Sequence, residues 1–135
     1  MRIMAINVFV NLELVDSSLD AEDLQAAARN LLKQVRAVDG VEEADLVAVT
    51  DVPEGSMALG GFVVGLLTAE VSAANLQKLG GFLKDRIIGK TLKMSVEGYG
   101  KKIAIEASSQ TEFDYAFQKA EEQLVKWAKE GQSGN

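Results

Sequence analysis

Residues 91–107, TLKMSVEGYGKKIAIEA, show a clear strand pattern on both sides of a glycine-containing turn. Apolar and polar residues alternate over Leu92–Glu97, and the alternation resumes over Ile103–Ala107 after the turn residues Gly98-Tyr99-Gly100. A period of two is typical of strands with one buried face, and closely spaced glycines are typical of a tight turn. The stretch therefore predicts an antiparallel β-hairpin.

Strand-like alternation also occurs over Ile3–Val15 and, more briefly, over Ala44–Thr50. In the first of these, Phe9 is the one apolar residue on the polar side, which predicts that part of that side is covered. Apolar residues at helical spacing predict a helix over Leu24–Val38. A last helix is predicted to start near Ser109, because Ser109 and Glu112 have the spacing of a capping box. Its solvated side is predicted to hold Glu121, Glu122, Lys126 and Lys129.

The segment Met57–Gly89 has Glu70 as its only charge before Lys78, and we interpret it as helical. Gly61 and Gly65 have the small-x-x-x-small spacing that lets two helices approach closely. Backbone N–H groups offered to an anion are a weaker explanation of the same glycines. The preceding residues 51–56 contain the only proline and are predicted to form a loop.

Together these elements predict an α+β fold in the order β-α-β-α-β-β-α. The expected sheet has four strands, is mostly antiparallel, and has the helices packed on it. A length of 135 residues suits one domain, which we place at residues 3–128, followed by a flexible tail at 129–135.

Composition argues against several classes of function. The chain has no cysteine and no histidine, so thiol chemistry is absent and the most common general base and metal ligand are missing. We therefore expect no catalytic residue, no metal and no cofactor. The net charge of −6 and the scattered basic residues argue against nucleic acid as a partner. No secretory signal is visible at Met1–Ala5, and with the lack of cysteine this predicts a cytoplasmic protein.

An apolar segment of this length is expected to be either buried or shared with a partner. The run from Met57 to Glu70 is shorter than the roughly 20 apolar residues of a membrane-spanning helix, so membrane attachment is not expected. We predict instead an interface that forms a homo-oligomer or binds another protein. The predicted interface residues are Met57, Leu59, Gly60, Gly61, Phe62, Val64, Gly65 and Leu66.

The layout also resembles a known family. Pro53-Glu-Gly-Ser-Met57 leads into a Gly/Leu-rich stretch that ends in Leu79-Gly-Gly-Phe-Leu-Lys-Asp-Arg86, and the hairpin and a terminal helix follow. Over residues 3–128 this resembles the effector-associated constant component family of bacteria. The resemblance implies a small, non-catalytic α+β domain encoded beside, or fused to, effectors such as peptidases in bacterial conflict systems. It also implies an adaptor that couples an effector to a sensor or to its own copies.

Two functions remain open from the sequence. The first is a non-catalytic interaction domain that self-associates and couples to an effector protein in a bacterial conflict or immunity system. The alternative is a small-ligand sensor or enzyme with a pocket between the sheet and residues 57–89.

Overall fold

The structure is a computed structural model that describes residues 6–51, 58–87 and 90–133. These residues form six strands and three helices, which confirms the predicted α+β class, whereas the predicted number of four strands is wrong. The elements are β1 (Asn7–Val15), α1 (Ala21–Arg36), β2 (Val41–Ala48), β3 (Ala58–Leu59), β4 (Phe62–Ser72), α2 (Leu76–Lys84), β5 (Thr91–Gly98), β6 (Lys101–Ala107) and α3 (Gln110–Ser133).

The largest correction concerns the apolar segment, because residues 62–72 form strand β4 and not a helix. Leu67, Ala69 and Val71 are buried, while Thr68 and Glu70 between them are only half-buried, so this half has the period of a strand. The other half hides that period, because Val63, Val64 and Gly65 are all buried. Only the later part of the segment is helical, as α2.

The irregular half of β4 is a large bulge. Leu46 of β2 pairs with Leu67, yet Ala48, two residues on, pairs with Phe62. A bulge of this kind leaves extra residues outside the ladder and changes which way their side chains point. Gly65 lies in it with a φ of +76°, which favours glycine, and an added Cβ would come within 3.0 Å of the Leu14 carbonyl oxygen.

The strands form one sheet in the order β2-β4-β1-β5-β6, with β3 paired to the start of β4, and every pair is antiparallel. The units β1-α1-β2 and β4-α2-β5 are interleaved. Strand β4 lies between β1 and β2, and strand β1 lies between β4 and β5. This is the split β-α-β, or ferredoxin-like, arrangement. The hairpin partner β6 and helix α3 extend it at the β5 edge, and pairing from Leu92–Ala107 to Gly98–Lys101 confirms the predicted hairpin.

All three helices bury their apolar sides against the same face of the sheet, which we call the helix face. The middle strand β1 supplies fully buried side chains to it, and each helix supplies two or more. Prominent members of this core are Val8, Val10, Leu12, Leu31, Val35, Leu79, Leu83, Phe113, Phe117 and Leu124. The opposite side of the sheet is therefore left to solvent or to a partner.

Local signals set the helix ends. Asp20 accepts a hydrogen bond from the Asp23 backbone N–H at 2.8 Å at the start of α1. Ser109 accepts one from the Glu112 N–H at 3.1 Å, which confirms its predicted capping role at the start of α3. Glu112 reaches back to the Ser108 N–H at 2.7 Å. Helix α3 then continues to Ser133 and so includes most of the residues that the sequence assigned to a tail.

Two neighbouring glycines of α2 provide a test of this packing. A Cβ on buried Gly80 would overlap the Phe117 ring, which is itself buried and stacked on Phe113 at 5.3 Å, whereas a Cβ on Gly81 meets nothing within 4 Å. We expect Gly80→Ala to lower the free energy of unfolding by about 1–3 kcal/mol. Gly81→Ala is the matched control and should raise it by up to about 1 kcal/mol, because alanine favours the helix. Urea denaturation of both variants measures this, and equal effects would contradict the α2–α3 contact.

Candidate functional site

The structure divides the predicted interface residues between two environments. Gly60 and Gly61 form an exposed turn with positive φ values between β3 and β4, and Leu59 and Phe62 flank it half-buried. Farther along β4, Val64 and Gly65 are buried and Leu66 is half-buried, while Met57 lies outside the described residues. The helix-packing interpretation of Gly61 and Gly65 is therefore wrong, because both lie in or beside a strand. Whether the turn contacts a partner stays a prediction.

Gln25 explains how the bulge of β4 is held. Its side chain is 1% exposed, and its Oε1 accepts a hydrogen bond from the Gly65 backbone N–H at 2.8 Å. This bond satisfies a buried N–H that the bulge removes from the strand ladder. The Gln25 Nε2 has no hydrogen-bond partner among the described residues, and an unpaired buried donor of this kind costs stability. We regard the Gln25–Gly65 hydrogen bond as structural, because it holds α1 to β4.

The side of the sheet opposite the helices, which we call the open face, is the larger candidate site. Phe9, Asn11 and Glu13 of the central strand β1 are all exposed there, so none of the residues that the structure describes covers the middle of the face. Its strand side chains are Asn7, Phe9, Asn11, Glu13, Glu43, Asp45, Leu66, Thr68, Glu70, Lys93, Ser95, Glu97, Lys102, Ala104 and Glu106.

Phe9 lies near the centre of the open face with 52% of its surface exposed. Its cross-strand neighbours are Glu70 on β4 and Glu97 on β5, and the Glu70 carboxylate is held by the Asn7 amide at 2.8 Å. Beside this row lies a shallow depression of about 390 Å³ that includes Leu66. The sequence singled out Phe9 as the apolar residue on the polar side of β1, but no described part of this chain covers it.

The open face is acidic. Six of its side chains are carboxylates and two, Lys93 and Lys102, are ammonium groups, which gives a net charge of −4. Arg36 reaches Asp45 from α1 at 2.8 Å and reduces that to −3 at one edge. The face therefore combines a central aromatic ring with surrounding negative charge. The composition of separate sequence segments does not reveal this, because the charged side chains come from five different strands.

A second candidate site is a cavity of about 560 Å³ on the helix face. It lies between α3, the turn joining β5 to β6, and the residues that lead from β4 into α2. Its walls include Tyr99, Gln77, Glu121 and Leu124. The sequence predicted a pocket between the sheet and residues 57–89. The region after β4 belongs to that segment but α3 does not, so the location agrees with the ligand-binding alternative only in part.

Glu121 is the unusual group of this cavity. The sequence predicts Glu121 on the solvated side of α3, but in the structure it is half-buried. Burial raises the pKa of its carboxyl, and this effect outweighs that of a hydrogen bond from Gln77, which lowers the pKa. Burial likewise raises the pKa of Tyr99. Tyr99 has a φ of +57° in a turn with Gly100, an uncommon conformation for a bulky residue.

Other chemical candidates do not assemble into a site. The Ser108 hydroxyl forms a hydrogen bond with the Thr91 hydroxyl at 2.8 Å, and the Ser108 backbone N–H donates to Glu112 in the first turn of α3. No group of three Asp or Glu side chains in the described part of the chain is placed to hold a metal ion. Within residues 6–51, 58–87 and 90–133, no helix is both long enough and apolar enough to cross a bilayer.

Comparison with known proteins finds no family model, no curated protein and no solved structure that matches this chain. The open face and the cavity are therefore the features from which we infer a function.

Glu121 makes stability depend on pH in a testable way. Because its folded-state pKa is raised from the ordinary 4.5, the ionised carboxylate destabilises the fold at neutral pH, and this penalty disappears when pH falls below the unfolded-state pKa. We expect Glu121→Gln to raise the free energy of unfolding at pH 7 by less than about 1 kcal/mol, since the group is only partly buried. At pH 3 the gain should vanish.

Denaturation with urea at the two pH values measures the effect. Glu122→Gln is the matched control, because Glu122 is exposed and pairs with Lys119 at 3.8 Å, so it should give no gain at pH 7. A Glu121→Gln variant that is less stable than the parent at pH 7 would contradict the assignment of a desolvated carboxylate.

Proposed function

We propose that this chain is a non-catalytic protein-interaction domain whose open face binds a partner protein with a basic surface. The observation that carries the proposal is the exposed ring of Phe9, near the centre of a sheet face that none of the three described helices covers. Antiparallel sheets do present one face to water, but that face is normally polar. An aromatic ring held there by a strand is pre-ordered for contact.

The position of Phe9 suits a binding hot spot. Binding energy concentrates in aromatic and arginine side chains near the centre of an interface, surrounded by polar groups that exclude water. Here the surrounding groups include Asn11, Glu70 and Glu97, all on neighbouring positions of rigid strands. Little side-chain or backbone order would be lost on binding, which favours affinity.

Charge identifies the kind of partner. A face whose strand side chains have a net charge of −4, or −3 with Arg36 included, attracts Lys and Arg side chains and repels a second copy of itself. Face-to-face pairing of two copies is therefore disfavoured. The self-association predicted from the sequence would need another surface, and the exposed turn at Gly60 and Gly61 with Leu59 and Phe62 is the one that we propose for it.

The resemblance to the effector-associated constant component family supports a biological setting for the partner. In this setting the domain is a cytoplasmic adaptor, and the basic surface belongs to an effector of a bacterial conflict or immunity system. The described fold, a single sheet with one covered face, is compatible with such a passive coupling role.

Site-specific photocrosslinking tests the proposal. A photoreactive phenylalanine analogue is placed at Phe9 in the native host cell, and the adducts are identified by mass spectrometry. We expect a discrete heterologous adduct whose crosslinked surface is rich in Lys and Arg. Tyr115 is the matched control position, because it is an aromatic residue with 66% of its surface exposed on α3, away from the open face. Equal adducts at both positions, or none at Phe9, would refute the proposal.

The identified partner then allows a quantitative test. Phe9→Thr removes the ring and replaces it with a β-branched side chain that favours a strand. It should weaken binding by about 2 kcal/mol or more, or roughly thirtyfold. Tyr115→Thr should leave the affinity within about twofold, since rim or outside residues contribute little. Affinity should also fall as salt rises from 0.05 to about 0.5 M, because screening weakens the charge attraction. Titration calorimetry measures all three, and a Phe9→Thr variant that binds normally would contradict the central role of the ring.

A further inference from the structure

The cavity on the helix face differs from the open face in shape, location and chemistry. Its volume of about 560 Å³ falls within the usual range of small-molecule sites, roughly 300–1,000 Å³. Three separate parts of the fold form its walls, namely α3, the β5–β6 turn and the 3-10 turn Ala73–Asn75 with the start of α2. It is built by tertiary packing, not by a single surface loop.

The floor of the cavity is apolar. Ala73, Leu76 and Leu124 are at most 6% exposed and belong to the hydrophobic core. An apolar group that enters the cavity would displace water from these side chains, which is favourable. The floor therefore suits a ligand with a hydrocarbon or aromatic body.

Among the described residues, the rim of the cavity is polar and has no basic side chain. It carries the carboxylates of Glu121 and Glu122, the carboxamides of Gln77 and Gln118, and the ring of Tyr99. Lys119 pairs with the Glu122 carboxylate at 3.8 Å, whereas none of the described ion pairs includes Glu121. Within the described part of the cavity, the charge that lacks an ion-pair partner is thus negative.

An isolated carboxylate in a partly buried position destabilises a protein unless a cation or hydrogen-bond donors compensate it. Gln77 contributes one hydrogen bond to Glu121, and burial still dominates the balance. A ligand ammonium group would supply the missing positive charge. The neighbouring ring of Tyr99 would add a favourable contact, because cations are attracted to aromatic faces.

We propose that this cavity binds a small organic cation, a primary amine on an apolar body, with Glu121 as its counter-ion and Leu76 and Leu124 beneath the body. The ligand site is separate from the open face, so it goes beyond the role of an interaction domain. Occupation of the cavity would tie α3 to the β5–β6 turn and to the start of α2.

Phenethylamine is a suitable probe, because it joins an ammonium group to an aromatic body. 2-Phenylethanol has the same body without charge, and 3-phenylpropionate has a negative charge instead. We expect phenethylamine to bind with a Kd of about 1 mM or tighter by NMR titration, with amide shifts at Tyr99 and Gln77. The alcohol should bind at least roughly tenfold more weakly, since it lacks the charge-assisted bond, and the acid should not bind.

Two variants locate the site. Glu121→Gln keeps the shape of the side chain and should weaken phenethylamine binding by roughly tenfold or more. Glu130→Gln is the matched control and should change it by less than about threefold. Glu130 lies on α3 outside the cavity lining, is exposed, and pairs with Lys101 at 3.8 Å. Ala74→Trp places a bulky ring at the exposed rim and should block binding without unfolding the protein.

Any one of three results would overturn the proposal. The first is that the folded parent protein does not bind phenethylamine at about 10 mM. The second is that the alcohol binds as tightly as the amine, and the third is that Glu121→Gln binds the amine as tightly as the parent does. The Phe9→Thr variant should bind phenethylamine like the parent, because Phe9 does not line the cavity. Failure of the cavity proposal can therefore be distinguished from failure of the open-face proposal.

Discussion

Strand β4 pairs along both of its edges, and this pairing fixes the order of the strands in the sheet and the side on which the helices pack. β1 and β2 both bond to β4, so the two strands joined through α1 are separated by a strand that comes later in the chain. The bulge at Gly65 bends β4 away from a regular ladder, and buried Gln25 of α1 satisfies the N–H that the bulge releases. Without this hydrogen bond a buried donor would remain unpaired, at a cost of about 1–3 kcal/mol.

The same constraint produces both candidate sites. Since the two interleaved units bring α1 and α2 to one face, and α3 packs there beside β6, the other face is left bare around Phe9. The chain must also pass from β4 into α2 near the β5–β6 turn, and α3 crosses close by. The cavity with Glu121 and Tyr99 lies where these three parts meet. One face is thus suited to a basic protein surface and the other to a small cation.

Regular periodicity explains what the sequence could predict. The hairpin over residues 91–107, the strand ending at Val15 and the Ser109 cap were predicted, because each depends on neighbours in the chain. β4 was misinterpreted as a helix, because its bulge places Val63, Val64 and Gly65 all inside and so hides the period of two. Phe9 was visible as an exception to alternation, whereas the acidic surroundings of Phe9 and the half-burial of Glu121 depend on tertiary contacts between distant segments.

We propose that the open face is exposed in the isolated protein and covered by a partner in the cell. Because the chain has no cysteine, a single thiol introduced by Phe9→Cys reports directly on this through its rate of maleimide labelling. We expect this thiol to react like an exposed thiol in the purified protein and to be protected in the native host cell. A Tyr115→Cys thiol should react equally in both settings. Protection of position 9 in the purified protein, or equal labelling there in the cell, would contradict the account.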